Sequence, residues 1–175
     1  MSLAVMVPCM AALLASTPHV AKAATVTLVG AGDMASCKYT LDSATAKLLG
    51  NIPGTVYTLG DNVYTYGTAA EFKNCYDPTW GRYKQRTRPT AGNHDYYTAG
   101  AKPYFDYFGW RAGRPGRGYY SYDRGSWHIL ALNSNCSARR SPTPAPTCAT
   151  KANRRGIDPL EFARSAISGQ LLVLG

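Results

Sequence analysis

Three places in the chain carry polar side chains of types that bind metal ions. Asp33, Asp61 and the pair Asn93-His94 each come directly after a glycine, at intervals of 28 and 32 residues. Each interval is about one strand–helix unit, and the carboxyl ends of neighbouring strands in an open α/β sheet converge on one edge. Two carboxylates brought together there repel each other unless a cation lies between them. Hard oxygen donors with one histidine favour a divalent or trivalent metal over a thiolate site.

Hydrophobic patterning predicts the elements that position the first two places. Residues 25–32, TVTLVGAG, are β-branched and apolar and predict a buried strand that leads into the first aspartate. Residues 55–59, TVYTL, predict a second strand that leads into the next one. Between them a helix is predicted through Leu49, with Asp42 or Ser43 as its cap and a glycine and a proline to end it.

The patterning continues through the middle of the chain. Residues 68–86 predict a second helix, with Phe72 and Cys75 on one face and a break near Asp77-Pro78. Residues 118–134 predict a hairpin of two strands around Asp123-Arg124-Gly125. Alternating strands and helices predict an α/β layered domain.

Two further features are interpreted as structural. The histidine of the predicted hairpin, His128, lies in an alternating strand pattern typical of a structural histidine. The aromatic residues between 96 and 108 are predicted to form core and cleft wall.

The motifs GDM, GDNVY and GNHD, in this order, resemble the first three blocks of the calcineurin-like metallophosphoesterases. Most of that superfamily has a histidine two residues after the first aspartate, where this chain has Ala35. The purple acid phosphatase branch instead has a tyrosine in a G-D-x-x-Y block, which Tyr64 matches. The resemblance covers residues 25–136 and implies the N-terminal half of a layered α-β-β-α sandwich. It implies a hydrolase of small phosphate esters that uses two metal ions and a metal-bound hydroxide, and we expect this chain to be inactive or impaired because the further histidine ligands that the resemblance implies are missing.

The resemblance also implies the metal ligands. Asp33 resembles a ligand of the first metal, Asp61 the carboxylate that bridges both metals, and Asn93 a ligand of the second. Tyr64 resembles a phenolate ligand that replaces the missing histidine. Because a phenol has a pKa of about 10, it ionises at neutral pH only on a strongly acidic metal. The implied cofactors are therefore Fe(III) together with a divalent ion, Fe, Zn or Mn.

Two catalytic residues follow from the same resemblance. His94 resembles the histidine that contacts the phosphate and helps the leaving group to depart. Asp95 is expected to orient His94, as a carboxylate commonly does for an imidazole.

Other interpretations stay open at these positions. Asp33 and Asp61 have the composition of turn residues or helix caps, and Tyr64 is one of 13 tyrosines, many of which pack or face solvent. The stretch VGAGDMA also fits a dinucleotide-binding loop, although its aspartate would repel a pyrophosphate and no acidic ribose partner follows at the usual spacing of about 20 residues. A non-catalytic secreted remnant is the third alternative, because His94 and His128 are the only histidines after residue 24, whereas the resemblance implies two further histidine-bearing blocks.

Residues 1–24 predict a secretory signal peptide. An apolar stretch from Leu3 to Ala15 is followed by Ala21-Lys22-Ala23, a small-x-small cleavage signal. A buried N-terminal helix is the alternative. No later stretch is apolar enough to cross a membrane, so we expect a secreted protein without membrane contact.

Export implies an oxidising compartment and therefore disulfides. After loss of the leader, Cys37, Cys75, Cys136 and Cys148 allow three pairings. We favour Cys37 with Cys75, because each follows a predicted strand or helix. Zinc binding is disfavoured, because no two cysteines have the C-x2-C spacing.

The formal charge of +9 is dispersed along the chain. Residues 25–136 hold 12 Lys and Arg against 8 Asp and Glu, and residues 137–175 hold 6 against 2. This distribution argues against a specific nucleic-acid surface.

The composition changes after Cys136. Residues 25–136 contain 19 of the 20 aromatic residues, and residues 137–175 contain only Phe162. We interpret residues 137–175 as an atypical tail, either disordered or the product of a reading-frame slip near residue 137.

Overall fold

A computed structural model describes residues 25–133, 135 and the backbone of 171–174. The predicted signal peptide, Cys136, Cys148 and most of the tail lie outside the described residues. The regular elements are β1 Leu28–Ala31, β2 Ala35–Ser36, α1 Leu41–Asn51, β3 Thr55–Thr58, β4 Val63–Tyr64, α2 Ala69–Glu71, β5 Thr87–Arg88, α3 Lys102–Phe108, β6 Tyr120–Arg124, β7 Trp127–Ala131 and β8 Leu171–Leu174.

Strands β1, β3 and β5 form a three-stranded sheet in the order β1-β3-β5. Leu28 pairs with Thr55 and Val56 pairs with Thr87, so the three strands run in the same direction side by side. β2 and β4 form a second, two-residue parallel ladder just beyond the ends of β1 and β3. The fold is a mixed α/β fold, as predicted, and the two predicted strands lie within residues 25–32 and 55–59. The expectation that the first strand is buried is wrong, because all four residues of β1 are only partly buried.

Helix α1 differs from its prediction at the N-terminus. The residue that precedes the helix is Thr40, whose side chain makes no capping hydrogen bond. Asp42 lies inside the first turn, is buried, and accepts hydrogen bonds from the Ser43 backbone N–H (2.9 Å) and the Thr79 hydroxyl (3.2 Å). The expected Asp42 or Ser43 cap is therefore wrong, because a tertiary contact to Thr79 draws the carboxylate inward.

The predicted second helix consists of several short turns. Thr68 and Glu71 form a reciprocal capping box at the start of α2, which continues as a π-helical turn over Phe72–Tyr76. The turn ends at Asp77, before a 3-10 helix over Trp80–Arg86. The predicted break near Asp77 is confirmed.

Aromatic side chains from this region and α3 form most of the core. The rings of Tyr76 and Phe108 meet edge-on with centroids 5.5 Å apart, and Phe72 contacts both. Tyr96 and Tyr104 are also fully buried. The prediction that the tyrosine-rich stretch forms core is confirmed for these residues. Such rings each bury a large apolar area and stabilise the domain through their packing.

The predicted hairpin is present, but its turn lies at Gly125-Ser126 and not around Asp123-Arg124-Gly125, because Asp123 and Arg124 continue β6 and pair with His128 and Trp127. β6 and β7 are antiparallel, with Tyr122 opposite Ile129. His128 lies in β7 and its Nδ1 contacts Asp123 Oδ1 at 2.6 Å, in agreement with a structural role. β8 pairs in parallel with β7, so residues 171–174 are an exception to the irregular tail that composition predicts.

Cys37 and Cys75 form a disulfide, with Cα atoms 5.1 Å apart. This is the pairing that we favoured from the sequence. The bond fixes the segment after β2 to the π-helical turn. Among the described residues, none of the helices combines the length and apolarity needed to cross a bilayer.

Candidate metal centre

The segments that follow β1 and β3 run side by side at the carboxyl edge of the sheet. The backbone N–H of Asp33 donates to the carbonyl of Gly60 (3.3 Å), and that of Met34 donates to the carbonyl of Asp61 (3.1 Å). These bonds continue the parallel register past the ends of the strands. The two predicted aspartates therefore lie on adjacent loops, as the spacing of 28 residues predicted.

Both aspartates have left-handed backbone conformations. The φ angle is 54° at Asp33 and 50° at Asp61. This region costs most residues about 1–2 kcal/mol, and aspartate is among the few non-glycine residues that occupy it regularly. The same unusual conformation at equivalent positions of two loops brings two carboxylates to one place.

Tyr64 joins the two carboxylates. Its hydroxyl contacts Asp33 Oδ1 and lies 3.0 Å from Asp61 Oδ2. Partial burial and these two carboxylates raise the pKa of Tyr64 well above its usual range, so without a cation the phenol keeps its proton. The hydroxyl oxygen of Tyr64 and one carboxylate oxygen from each of Asp33 and Asp61 therefore lie together and share the proton of the phenol.

The loop after β5 reaches the same point through His94. The His94 backbone N–H donates to Asp61 Oδ1 (2.9 Å), and its Nδ1 lies 2.8 Å from the carbonyl oxygen of Thr65. Because a carbonyl only accepts, Nδ1 carries a proton in this contact and Nε2 is the remaining ring nitrogen. The His94 ring lies 4.4 Å from the Tyr64 ring, centroid to centroid. Asn93 precedes His94 in this loop, and its backbone carbonyl accepts from Tyr96 (3.2 Å).

Two glycines permit the close approach of these loops. A Cβ at Gly92 would overlap the carboxylate and backbone nitrogen of Asp61, and a Cβ at Gly60 would lie 2.8 Å from the Gly92 Cα. Gly60 also has φ of 94°. The glycines that precede Asp61 and Asn93 thus let the two loops approach and keep side chains away from the cluster.

Asp95 does not orient His94, and this part of the prediction is wrong. Its Oδ2 accepts hydrogen bonds from the Gly92 N–H (2.9 Å), the Asn62 N–H (3.2 Å) and the Asn62 side-chain amide (2.9 Å). Asp95 is fully buried, and burial raises its pKa to about 7 despite these three donors. The carboxylate ties the loops after β3 and β5 together, while the Thr65 carbonyl holds the His94 ring.

Sequence reasoning missed two residues that support the site. Asn62 is fully buried and also donates to the Thr90 carbonyl (2.8 Å). Glu71 accepts from the backbone N–H groups of Thr65 and Thr68, the second at 2.8 Å, and so fixes the segment that holds His94. The T-x-x-E capping-box pattern at residues 68–71 was a readable signal for Glu71, whereas the role of Asn62 depends on contacts distant in sequence.

An open cleft of about 370 Å³ lies beside this cluster. Asp33 and Tyr64 form one wall, and Lys38, Tyr39 and Leu41 are among the other lining residues. Tyr39 and Leu41 are 69% and 75% exposed, so the cleft offers apolar surface and a cation next to the carboxylates.

The donor chemistry fits a hard cation. Within the described ranges, no group of three or more His, Cys, Asp or Glu side chains is placed to hold a metal. The cluster instead combines two carboxylates with a phenol oxygen, so a cation in place of the shared proton would satisfy all three donors. Fewer donors remain for a second ion, since only Asp61 and Asn93 are expected to reach it.

Comparison with known proteins gives no independent identification, because no family model, curated protein or solved structure matches the chain.

Proposed function

We propose that this protein is a secreted, metal-dependent phosphoric ester hydrolase of the metallophosphoesterase type, similar to purple acid phosphatases, and that its turnover is impaired in this chain because His94 and His128 are the only histidines after residue 24. The observation that carries the proposal is the contact of the Tyr64 hydroxyl with the carboxylates of both Asp33 and Asp61. The parallel sheet and the separate β6-β7-β8 sheet are consistent with the N-terminal half of an α-β-β-α sandwich.

In this proposal each residue has a defined task. Asp33, Tyr64 and Asp61 would hold an Fe(III) ion, and Asp61 with Asn93 would contribute to the binding of a divalent ion, Fe, Zn or Mn. When bound, such ions act as Lewis acids that polarise a phosphoryl oxygen and lower the pKa of water. His94, fixed through Nδ1–H by the Thr65 carbonyl, would contact the phosphate through Nε2; as the doubly protonated imidazolium it would give the Nε2 proton to the departing oxygen and become the neutral ring that keeps its proton on Nδ1.

A second candidate is a secreted protein that binds one hard cation without hydrolysing esters. The histidine content favours it, because the printed sequence has only His19, His94 and His128. Of the two histidines that the structure describes, His94 lies in the candidate site and His128 contacts Asp123 in the hairpin. One ion fits the described oxygen donors better than two.

Iron loading tests the site directly. We expect Fe(III) to produce a visible charge-transfer band from a coordinated phenolate, and Tyr64→Phe to abolish it. Tyr66→Phe is the matched control, because Tyr66 is two residues away and 64% exposed, and it should keep the band. A band of equal intensity in Tyr64→Phe would remove Tyr64 from the ligand set, provided that circular dichroism shows the same fold for both variants.

A further inference from the structure

Three arginines and two aromatic rings form a cluster outside the candidate metal centre. We call Arg88, Arg111, Arg124, Trp110 and Tyr122 the arginine cluster. The guanidinium carbons of Arg88 and Arg111 lie 4.8 and 4.7 Å from the centroid of the Trp110 ring. Arg88 also lies 5.6 Å from the ring of Tyr122. The contacts alternate between cations and rings.

The arginine cluster meets the parallel sheet at the first residue of β3 and at Arg88 in β5, before the loops that carry the carboxylates. Arg124 donates from Nε to the hydroxyl of Thr55 (2.9 Å), the first residue of β3, and Arg88 lies in β5. Asp61 and His94 follow the carboxyl ends of these same strands. A ligand at the arginine cluster would therefore be separate from the metal centre.

The positive charges of the cluster have no acidic partner in the described part of the chain. The ion pairs found there join Lys102 with Asp106 and His128 with Asp123. Burial, together with the nearby positive charges of Arg124 and Arg111, lowers the pKa of Arg88. Gathering partly buried cations without counter-charge costs free energy, which an anionic ligand would recover.

Most hydrogen-bond donors of these side chains also lack an acceptor among the described residues. Arg111 donates from Nη2 to Gln85, but its buried Nε has no partner there. Arg88 makes only a long bond of 3.4 Å to the Thr87 carbonyl. Stacking on a ring occupies the face of a guanidinium and leaves its in-plane N–H groups, which match the oxygen atoms of phosphate or sulfate.

We propose that the arginine cluster is a binding site for an anion that carries several phosphate or sulfate groups. Arg111 and Arg124 supply forked N–H donors, and Arg88 adds charge between them. The exposed ring of Trp110, with 68% of its surface accessible, fixes two of the guanidinium groups. This site does not depend on the metal or on hydrolysis.

Calorimetric titration of the metal-free, desalted chain at low ionic strength tests the proposal. The probes are inorganic tripolyphosphate and a sulfated tetrasaccharide, and the tighter of the two identifies the source of the oxyanion. We expect saturable one-to-one binding of at least one probe, weakened at least tenfold by Arg111→Gln and by Arg124→Gln.

Arg114→Gln is the matched control, because Arg114 is exposed on the neighbouring turn and its loss removes the same charge. It should change the dissociation constant less than twofold. Arg111→Lys keeps the positive charge but removes the paired N–H donors of the guanidinium group, so we expect most of the affinity for the probe to be lost. Absence of saturable binding with both probes, or equal weakening by Arg114→Gln and Arg111→Gln, would overturn the proposal. Unfolding midpoints of all variants check that the domain stays folded.

Discussion

Asp61 is the residue on which the three loops meet. Its carboxylate contacts the Tyr64 hydroxyl and accepts the His94 backbone N–H, while Gly92 leaves no space for a side chain against it. Its backbone has the same positive φ as that of Asp33. Two strained aspartates at the ends of adjacent strands cost stability, which supports a functional reason for their arrangement.

Asp95 provides a prediction about stability and pH. Its pKa in the folded protein is about 7, above its ordinary value of 3.8, because burial disfavours the charged form. A raised carboxyl pKa means that the folded state binds more protons than the unfolded state between these values. The stabilisation that the folded state gains from a neutral Asp95 is therefore complete below about pH 4 and is lost as the pH rises through about 7.

Asp95→Asn mimics the neutral form and can keep its oxygen toward Asn62 and Gly92. Each pKa unit corresponds to about 1.4 kcal/mol, so the metal-free wild type should lose at least about 1 kcal/mol relative to Asp95→Asn between pH 5 and pH 8. Urea unfolding at several pH values measures this difference. Parallel pH profiles for the two proteins would contradict the prediction.

At the scale of strands and helices, the sequence predicted correctly those features that depend on contacts between residues close together in the chain. The apolar runs that became β1 and β3 end where the glycine–aspartate pairs begin, so the positions of Asp33 and Asp61 could be read from sequence. β5 is only two residues long, Thr87–Arg88, because Pro89 has no N–H to continue the ladder.

The predictions that failed depended on contacts between distant residues. Asp42 looked like a helix cap, but it bonds Thr79, 37 residues away. Asp95 looked like the partner of its neighbour His94, but it bonds Asn62, 33 residues away. Polar side chains such as these have several possible partners, and only the packed fold selects among them.

The disulfide gives a prediction at the same scale. Cys37 and Cys75 are 38 residues apart, and closing a loop of that size stabilises a fold by about 3–4 kcal/mol in the chain-entropy description. The double variant Cys37→Ser, Cys75→Ser should lower the free energy of unfolding in urea by about that amount. A reducing agent should destabilise the wild type by about that amount more than it destabilises the double variant, which keeps Cys136 and Cys148. An equal response of both proteins to the reductant would contradict the role of this bond.

At the scale of the whole domain, the charges of the described residues gather at different places on the parallel sheet. Carboxylates gather beyond the carboxyl ends of β1 and β3, and guanidinium groups gather near the amino end of β3 and around Arg88 in β5. The distribution of charge along the sequence did not predict this arrangement, because the residues of the arginine cluster come from three different parts of the chain. Net charge alone therefore does not describe what the surface can bind.

The last prediction concerns turnover by the chain as printed. In the proposed site, Asp33, Asp61, Tyr64 and Asn93 would supply oxygen donors but would leave two ions short of nitrogen ligands, which would lower affinity and disturb geometry. We expect residues 25–175, loaded with Fe(III) and Zn(II), to bind iron but to hydrolyse a chromogenic phosphate ester only at trace rates. A reading-frame correction near residue 137 should introduce at least two histidines and raise the rate, and Asp61→Asn should then abolish it. If the uncorrected chain turns the ester over rapidly and Asp61→Asn stops this reaction, the ligands present in this chain suffice for catalysis. If no alternative reading frame encodes histidine-bearing strands, the tail is genuine.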